Sequence, residues 1–126
     1  MITPKFLDHF RSRASKFENA TLRVVKTTSR KLRVRRSVAE APVSNHDLGF
    51  MLTLCDQGGY GYAAMAGLEL SALDEAFDQA SSWVAASRGS LVPGLDPTII
   101  SLKSGRYSSV VEEPWEEFPI LSLIHI

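Results

Sequence analysis

The chain has 126 residues, 44% of them hydrophobic and 22% charged, with a formal net charge of zero. That profile fits one globular domain or a piece of a larger protein. It excludes a membrane span, which needs roughly 20 consecutive apolar residues, a signal peptide, since the start MITPKF has no apolar core, and an internal disulfide, since Cys55 stands alone. A cytoplasmic setting follows from that cysteine usage.

Thr3-Pro4 opens the chain with a helix-start signal, a capping hydroxyl followed by a proline suited to the first helical position. Phe6, Leu7, Phe10, Ala14 and Phe17 then recur at helical spacing, which predicts an amphipathic helix over 4–17 with His9 at the edge of its apolar stripe. Residues 21–28 are rich in β-branched side chains and predict a strand. Ser29-Arg30 is the expected turn. Residues 31–38 alternate, with Leu32, Val34 and Val38 on one side and Lys31, Arg33, Arg35 and Ser37 on the other, as in a half-buried antiparallel strand. The polar stretch 40–47 reads as a bulged strand end or loop. It includes His46-Asp47, which in a strand would point to opposite faces and so would not form an acid–base pair.

The stretch 48–64, LGFMLTLCDQGGYGYAA, is the centre of the pattern. Leu48, Phe50, Leu52 and Leu54 share one strand face. Asp56-Gln57-Gly58-Gly59 predicts the reversal, with two glycines available for positive φ. Tyr60 and Tyr62 then place their rings on one face and small residues on the other. Gly61, Ala63 and Ala64 allow close packing. Ser71 reads as the cap of a second helix over 71–88, with Asp74 completing an approximate capping box. Leu73, Phe77, Ala80 and Val84 form its apolar stripe, Asp74, Glu75 and Asp78 stand near its start, and Gly89 is its stop signal. The apolar face of 48–54 is the expected partner of that stripe. Beyond Ser90 the pattern weakens; 98–102 and 107–111 are candidate short strands, and ILSLIHI is an abrupt apolar tail.

No chemistry-bearing motif emerges. His9, His46 and His125 are scattered, and there is no His-Glu-x-x-His and no cysteine pair. Gly58-Gly59-x-Gly61 runs into an extended segment and does not open a helix, so it is not a dinucleotide fingerprint. No nucleophile elbow is present. Cys55 lacks an evident base and reads as a half-buried strand residue. Charge is unevenly spread. Residues 1–36 hold 11 Lys/Arg against 2 Asp/Glu, and residues 37–126 hold 3 against 12. The main reading is two halves that compensate each other. The rival is a phosphate-binding sheet face built from Arg23, Lys26, Arg30, Lys31, Arg33, Arg35 and Arg36, with Tyr60 and Tyr62 stacking bases.

The order of these features resembles the N-terminal region of the TldD/PmbA family of metallopeptidases. The resemblance runs over roughly 20–119 and rests on TLRVVKTTSRKLRVRRS, HDLGFMLTL, GGYGYAAMAGL, LSALDEAFDQASSWVAAS and SGRYSSVVEEPWEEFP in that sequence. It implies an N-terminal domain that helps build an elongated dimer and a cleft for peptide substrates. It also implies zinc bound in a later domain, by a helix bearing His-Glu-x-x-x-His with a further Cys. That helix is absent from this sequence, so no catalytic or metal-binding position carries over, and the chain itself holds no cofactor and should be inactive alone. The ending LSLIHI is similar to translated sequencing-adapter read-through, so 1–119 is expected to be a truncated family-like domain with 120–126 an artefactual tail; the alternative is a genuine short paralogue with a different tail.

The expected fold is therefore α+β, a twisted antiparallel sheet with two helices packed on one face. The expected function is the non-catalytic N-terminal portion of a TldD/PmbA-like metallopeptidase, a scaffold for cleft and dimer with Tyr60 and Tyr62 as candidate cleft-lining residues. Its implied partners are a homo- or heterodimeric family member and, in the intact protein, a peptide substrate; no membrane is implied. The alternatives are a stand-alone interaction module pairing with a full-length family partner, and a nucleic-acid module using the basic strands 21–38.

Overall fold

A computed structural model describes residues 2–90 and 104–117. The elements are α1 (Pro4–Ala14), β1 (Asn19–Lys31), β2 (Val34–Arg35), β3 (Val38–Ala39), β4 (Val43–Asp56), β5 (Gly59–Ala66) and α2 (Leu70–Ser87). Strands β1, β4 and β5 form an antiparallel sheet in that order, and β2 and β3 form a separate two-stranded ladder. This is an α+β fold. The chain divides into two compact units, one of Met1–Lys26 with Asp47–Lys103, the other of Thr27–His46 with Ser104–Ile126. No helix among the described residues is long and apolar enough to cross a membrane.

The core lies in the first unit, on one face of its sheet. Phe50, Leu52 and Leu54 of β4 and Ala63 of β5 meet Phe6 of α1 and Leu73, Ala76, Phe77, Ala80 and Val84 of α2, all buried. Ala20, Leu22 and Val24 of β1 extend this surface. Helix α1 is anchored by Phe6, whose ring meets Phe50 edge-on at 5.6 Å, and by Phe10, whose ring lies 6.0 Å from that of Phe77. Thr3 caps α1, its side-chain oxygen accepting from the Phe6 N–H at 3.2 Å. The helix ends at Ala14, one turn short of the expected 17, yet Phe17 still stacks on Phe77 at 6.2 Å.

The central hairpin forms in the expected register, with Asp56 opposite Gly59, Leu54 opposite Gly61 and Leu52 opposite Ala63. Its turn differs in detail. Gln57 (φ 49°) and Gly58 (φ 75°) are the left-handed pair, the signature of the tight hairpin loop whose twist matches that of its strands. Gly59 is instead the first, buried residue of β5. There it serves close approach, as Gly61 does. A Cβ at Gly59 would run into the carbonyl oxygen of Val84, and one at Gly61 into that of Ala80, because α2 lies directly on β5.

Four other expectations are corrected. Ser29-Arg30 is not a turn, since β1 runs on to Lys31. The reversal falls at Arg36 (φ 51°) and Ser37 (φ 62°), so 31–38 is not one strand but the end of β1 and a minimal β2–β3 hairpin. Ser71 does not cap α2; the helix starts at Leu70 after Glu69, whose side chain makes no capping bond, and no acidic residue lies in the first turn. Asp74 is engaged elsewhere, as described below. The C-terminal stop is as expected, with Gly89 at φ 77°. Residues 107–111 form no strand. The candidate strand 98–102 and the tail 120–126 lie outside the described residues.

Candidate functional site

Because every apolar layer packs on one side of the sheet, the other side of the first unit is left without a covering layer among the described residues. Alternation places Val25 of β1, Met51, Thr53 and Cys55 of β4, and Tyr60, Tyr62 and Ala64 of β5 on that side. Tyr62 is 56% exposed, Val25 46% and Met51 38%. Tyr60 is half-buried, and its ring stands 6.3 Å from that of Tyr62 at an angle of 59°. The two candidate cleft residues are thus neighbours on that side, Tyr62 exposed and Tyr60 half-buried. Cys55 opposite Tyr60 is fully buried, more so than the half-buried position its sequence suggests.

A second cluster joins the helices on the covered side. His9 and Arg13 stand one turn apart on α1; Asp74 and Asp78 stand one turn apart on α2. His9 Nε2 donates to Asp74 Oδ1 at 2.6 Å, Arg13 Nη1 to the same oxygen at 2.9 Å, and Arg13 Nη2 to Asp78 Oδ1 at 3.2 Å. The Arg13 guanidinium also lies over the Phe77 ring at 4.9 Å. The hydrogen bond from His9, then that from Arg13, holds the Asp74 carboxyl below the usual carboxylate range. The bond to Asp74 in turn raises Arg13 above its ordinary value, outweighing desolvation. Asp74 Oδ1 takes a bond from each of His9 and Arg13, so the cluster clamps α1 to α2. Sequence reading missed it, although matched i, i+4 pairs of opposite character on two amphipathic helices were the available signal.

The remaining candidates do not converge. His46 and Asp47 are consecutive in β4 and so project to opposite sides; His46 Nδ1 lies 3.4 Å from Thr28 Oγ1. Arg23 and Lys26 of β1 likewise fall on opposite sides, and Arg33 pairs with Glu40 at 3.7 Å, so the basic residues do not share one sheet face. No three His, Cys, Asp or Glu side chains come together among the described residues, so these residues offer no donor set for zinc.

The hairpin's own edge completes the geometry. A two-residue loop closes on a hydrogen-bonded pair, here Asp56 and Gly59, so Gly61, Ala63 and Met65 turn their backbone groups towards β4. The Gly67 N–H bond to the Leu48 carbonyl at 2.8 Å agrees with that phase. Tyr60, Tyr62, Ala64 and Ala66 therefore turn theirs outward. At Tyr60 the need is met from α2, where Ser87 Oγ accepts from the Tyr60 N–H and donates to its carbonyl, both at 2.9 Å.

Among known proteins, the model of PmbA/TldA metallopeptidase domain 1 matches residues 20–84, a span running from β1 into α2. No curated protein and no solved structure matches.

Proposed function

The chain belongs to the PmbA/TldA metallopeptidase family through domain 1, and from that premise we propose that it acts as the scaffold on which peptide substrate and a second family subunit are held, without cleaving peptide bonds itself. The observation that carries this reading is the division of the sheet. One side is filled by α1 and α2, while the other presents Tyr60, Tyr62, Met51 and Val25 with no metal donor set beside them among the described residues. Large amphipathic rings over an apolar floor hold a peptide or a protein surface well, because they bury much area at little entropic cost. The zinc implied for an intact family protein would supply an activated water for hydrolysis. The residues described here do not fit that role, so the chain's own part is to bind and orient.

The reading is tested on the purified 126-residue chain by metal analysis after zinc loading and by hydrolysis of an unstructured protein such as casein. We expect less than stoichiometric zinc and no cleavage above background. One zinc per chain together with chelator-sensitive cleavage would overturn the proposal.

A further inference from the structure

We propose that the β2–β3 hairpin is a processing site, cut after Arg36 by a separate endopeptidase that recognises clustered arginines. This goes beyond the scaffold reading and does not depend on it. The turn reads Arg33-Val34-Arg35-Arg36-Ser37. An endopeptidase that cuts after paired basic residues seats them in carboxylate-lined pockets, which the rigid, always-charged guanidinium fork fits well. Arg33, Arg35 and Arg36 supply that fork at the first, second and fourth positions before the Arg36–Ser37 bond, and all three are exposed, as are Ser37 and Val38 after it. The chain has one other pair of adjacent basic residues, Arg30-Lys31, but that pair lies within β1 with Arg30 half-buried.

The hairpin also opens easily, which a protease requires because it holds its substrate extended. Arg36 (φ 51°) and Ser37 (φ 62°) both take the left-handed conformation without being glycine or asparagine. The ladder behind them has two residue pairs, Val34 with Ala39 and Arg35 with Val38. A two-stranded hairpin on its own is marginal in water. Val38 is 66% exposed, and no buried core residue among those described falls within 27–46. The remaining closure is a Glu40 N–H to Arg33 carbonyl bond of 2.8 Å and an exposed Arg33–Glu40 ion pair at 3.7 Å, which contributes little. The β4–β5 hairpin is the contrast, with a glycine in its turn and eight residue pairs behind it.

In the cut, water adds across the Arg36–Ser37 amide. The C–N bond breaks, leaving a carboxylate on Arg36 and an ammonium on Ser37. The bond lies where the charge of the chain divides, so the 36-residue piece carries +9 and the 90-residue piece −9. The unit that holds the core draws on both pieces. Phe6 meets Phe50, Phe10 meets Phe77, and His9 and Arg13 grip Asp74, each pair spanning the cut. The product is therefore one nicked particle with two new ends in place of a hairpin.

The test treats the full chain and a synthetic peptide of residues 30–40 with a purified kexin-type serine endopeptidase, which cuts after paired basic residues, and follows the products by mass spectrometry. We expect a single cut after Arg36, at a rate within about tenfold of that for the peptide, since opening the hairpin costs little. The two pieces should co-elute on gel filtration until urea is added. Arg36→Gln should abolish the cut. Ser37→Gly suits the left-handed position better, so it should slow cutting of the chain several-fold and leave cutting of the matching peptide unchanged. A chain cut more than about a hundredfold slower than the peptide would overturn the proposal, because the hairpin would then be closed to a protease. First cleavage after Lys31 or at any other bond would also overturn it, as would pieces that separate without denaturant.

Discussion

Replacing Gly61 by alanine adds one methyl group at the point where α2 lies closest to the sheet. The new Cβ would overlap the Ala80 carbonyl oxygen and stand 2.8 Å from Trp83 Cβ and 3.0 Å from Val84 N. Two of these three neighbours are helix backbone, which has no rotamer to change, so α2 must move as a body. Trimming Ala80 to glycine would give no relief, because the obstructing atom is its carbonyl. Any such movement loosens Leu73, Ala76, Phe77, Ala80 and Val84, all at or near zero exposure. Overpacking a core typically costs ~1–3 kcal/mol, and a backbone collision belongs at the top of that range, about 3 kcal/mol. For a domain of this size each kcal/mol shifts Tm by ~4–8 °C, so a fall of at least about 12 °C is expected. The control is Gly58→Ala, where nothing lies within 4 Å and only the φ of +75° penalises a side chain; its cost is ~1 kcal/mol. Urea unfolding of both variants followed by circular dichroism makes the comparison. A Gly61→Ala chain as stable as the parent, or no less stable than Gly58→Ala, would refute the close approach of α2 to β5.

Three further outcomes are expected. Asp74 is held low by His9 and Arg13, so its contribution is present above the ordinary carboxylate pKa and is lost as pH falls through the lower folded value. Asp74→Asn should therefore cost about 1 kcal/mol at pH 7, a modest figure for a half-exposed pair, and should flatten the acid limb of a urea-midpoint-against-pH curve; an unchanged limb would remove the clamp from the stability account. Ser87→Ala deletes the hydroxyl that serves both backbone groups of Tyr60, at ~0.5–1.5 kcal/mol per bond lost. Faster hydrogen exchange at the Tyr60 amide, with Gly61 unaffected, is the readout. Gln57 occupies a left-handed position in the hairpin turn, and Gln57→Asn should raise stability by about 0.5 kcal/mol, because Asn tolerates that conformation better; a lower thermal midpoint would contradict the assigned turn.

Much of the fold was legible because its signals are local. The three Phe residues of α1, the i, i+4, i+7 stripe of α2 and the every-second-residue pattern of β4 each report a buried face through spacing alone. The family was legible in the same way, through ordered short stretches; the domain match over 20–84 bears out the family and covers the stretches up to α2, while SGRYSSVVEEPWEEFP lies beyond it. The candidate site was legible only in part. Tyr60 and Tyr62 could be paired on one side by alternation, but whether that side was covered depended on where α1 and α2 packed.

What the sequence by itself determined is thus the type of each element and which of its faces is apolar, since both follow from dihedral preference and periodicity within a few residues. The tertiary structure decided the rest. Ser71 and Asp74 look like a capping box until His9 and Arg13, more than 60 residues earlier, claim the carboxylate. Gly59 looks like a turn residue until α2 comes to rest on it. Ser87 looks like a helix-end hydroxyl until it reaches both backbone groups of Tyr60. Each of these roles depends on a partner distant in the chain, and no local pattern carries the position of such a partner.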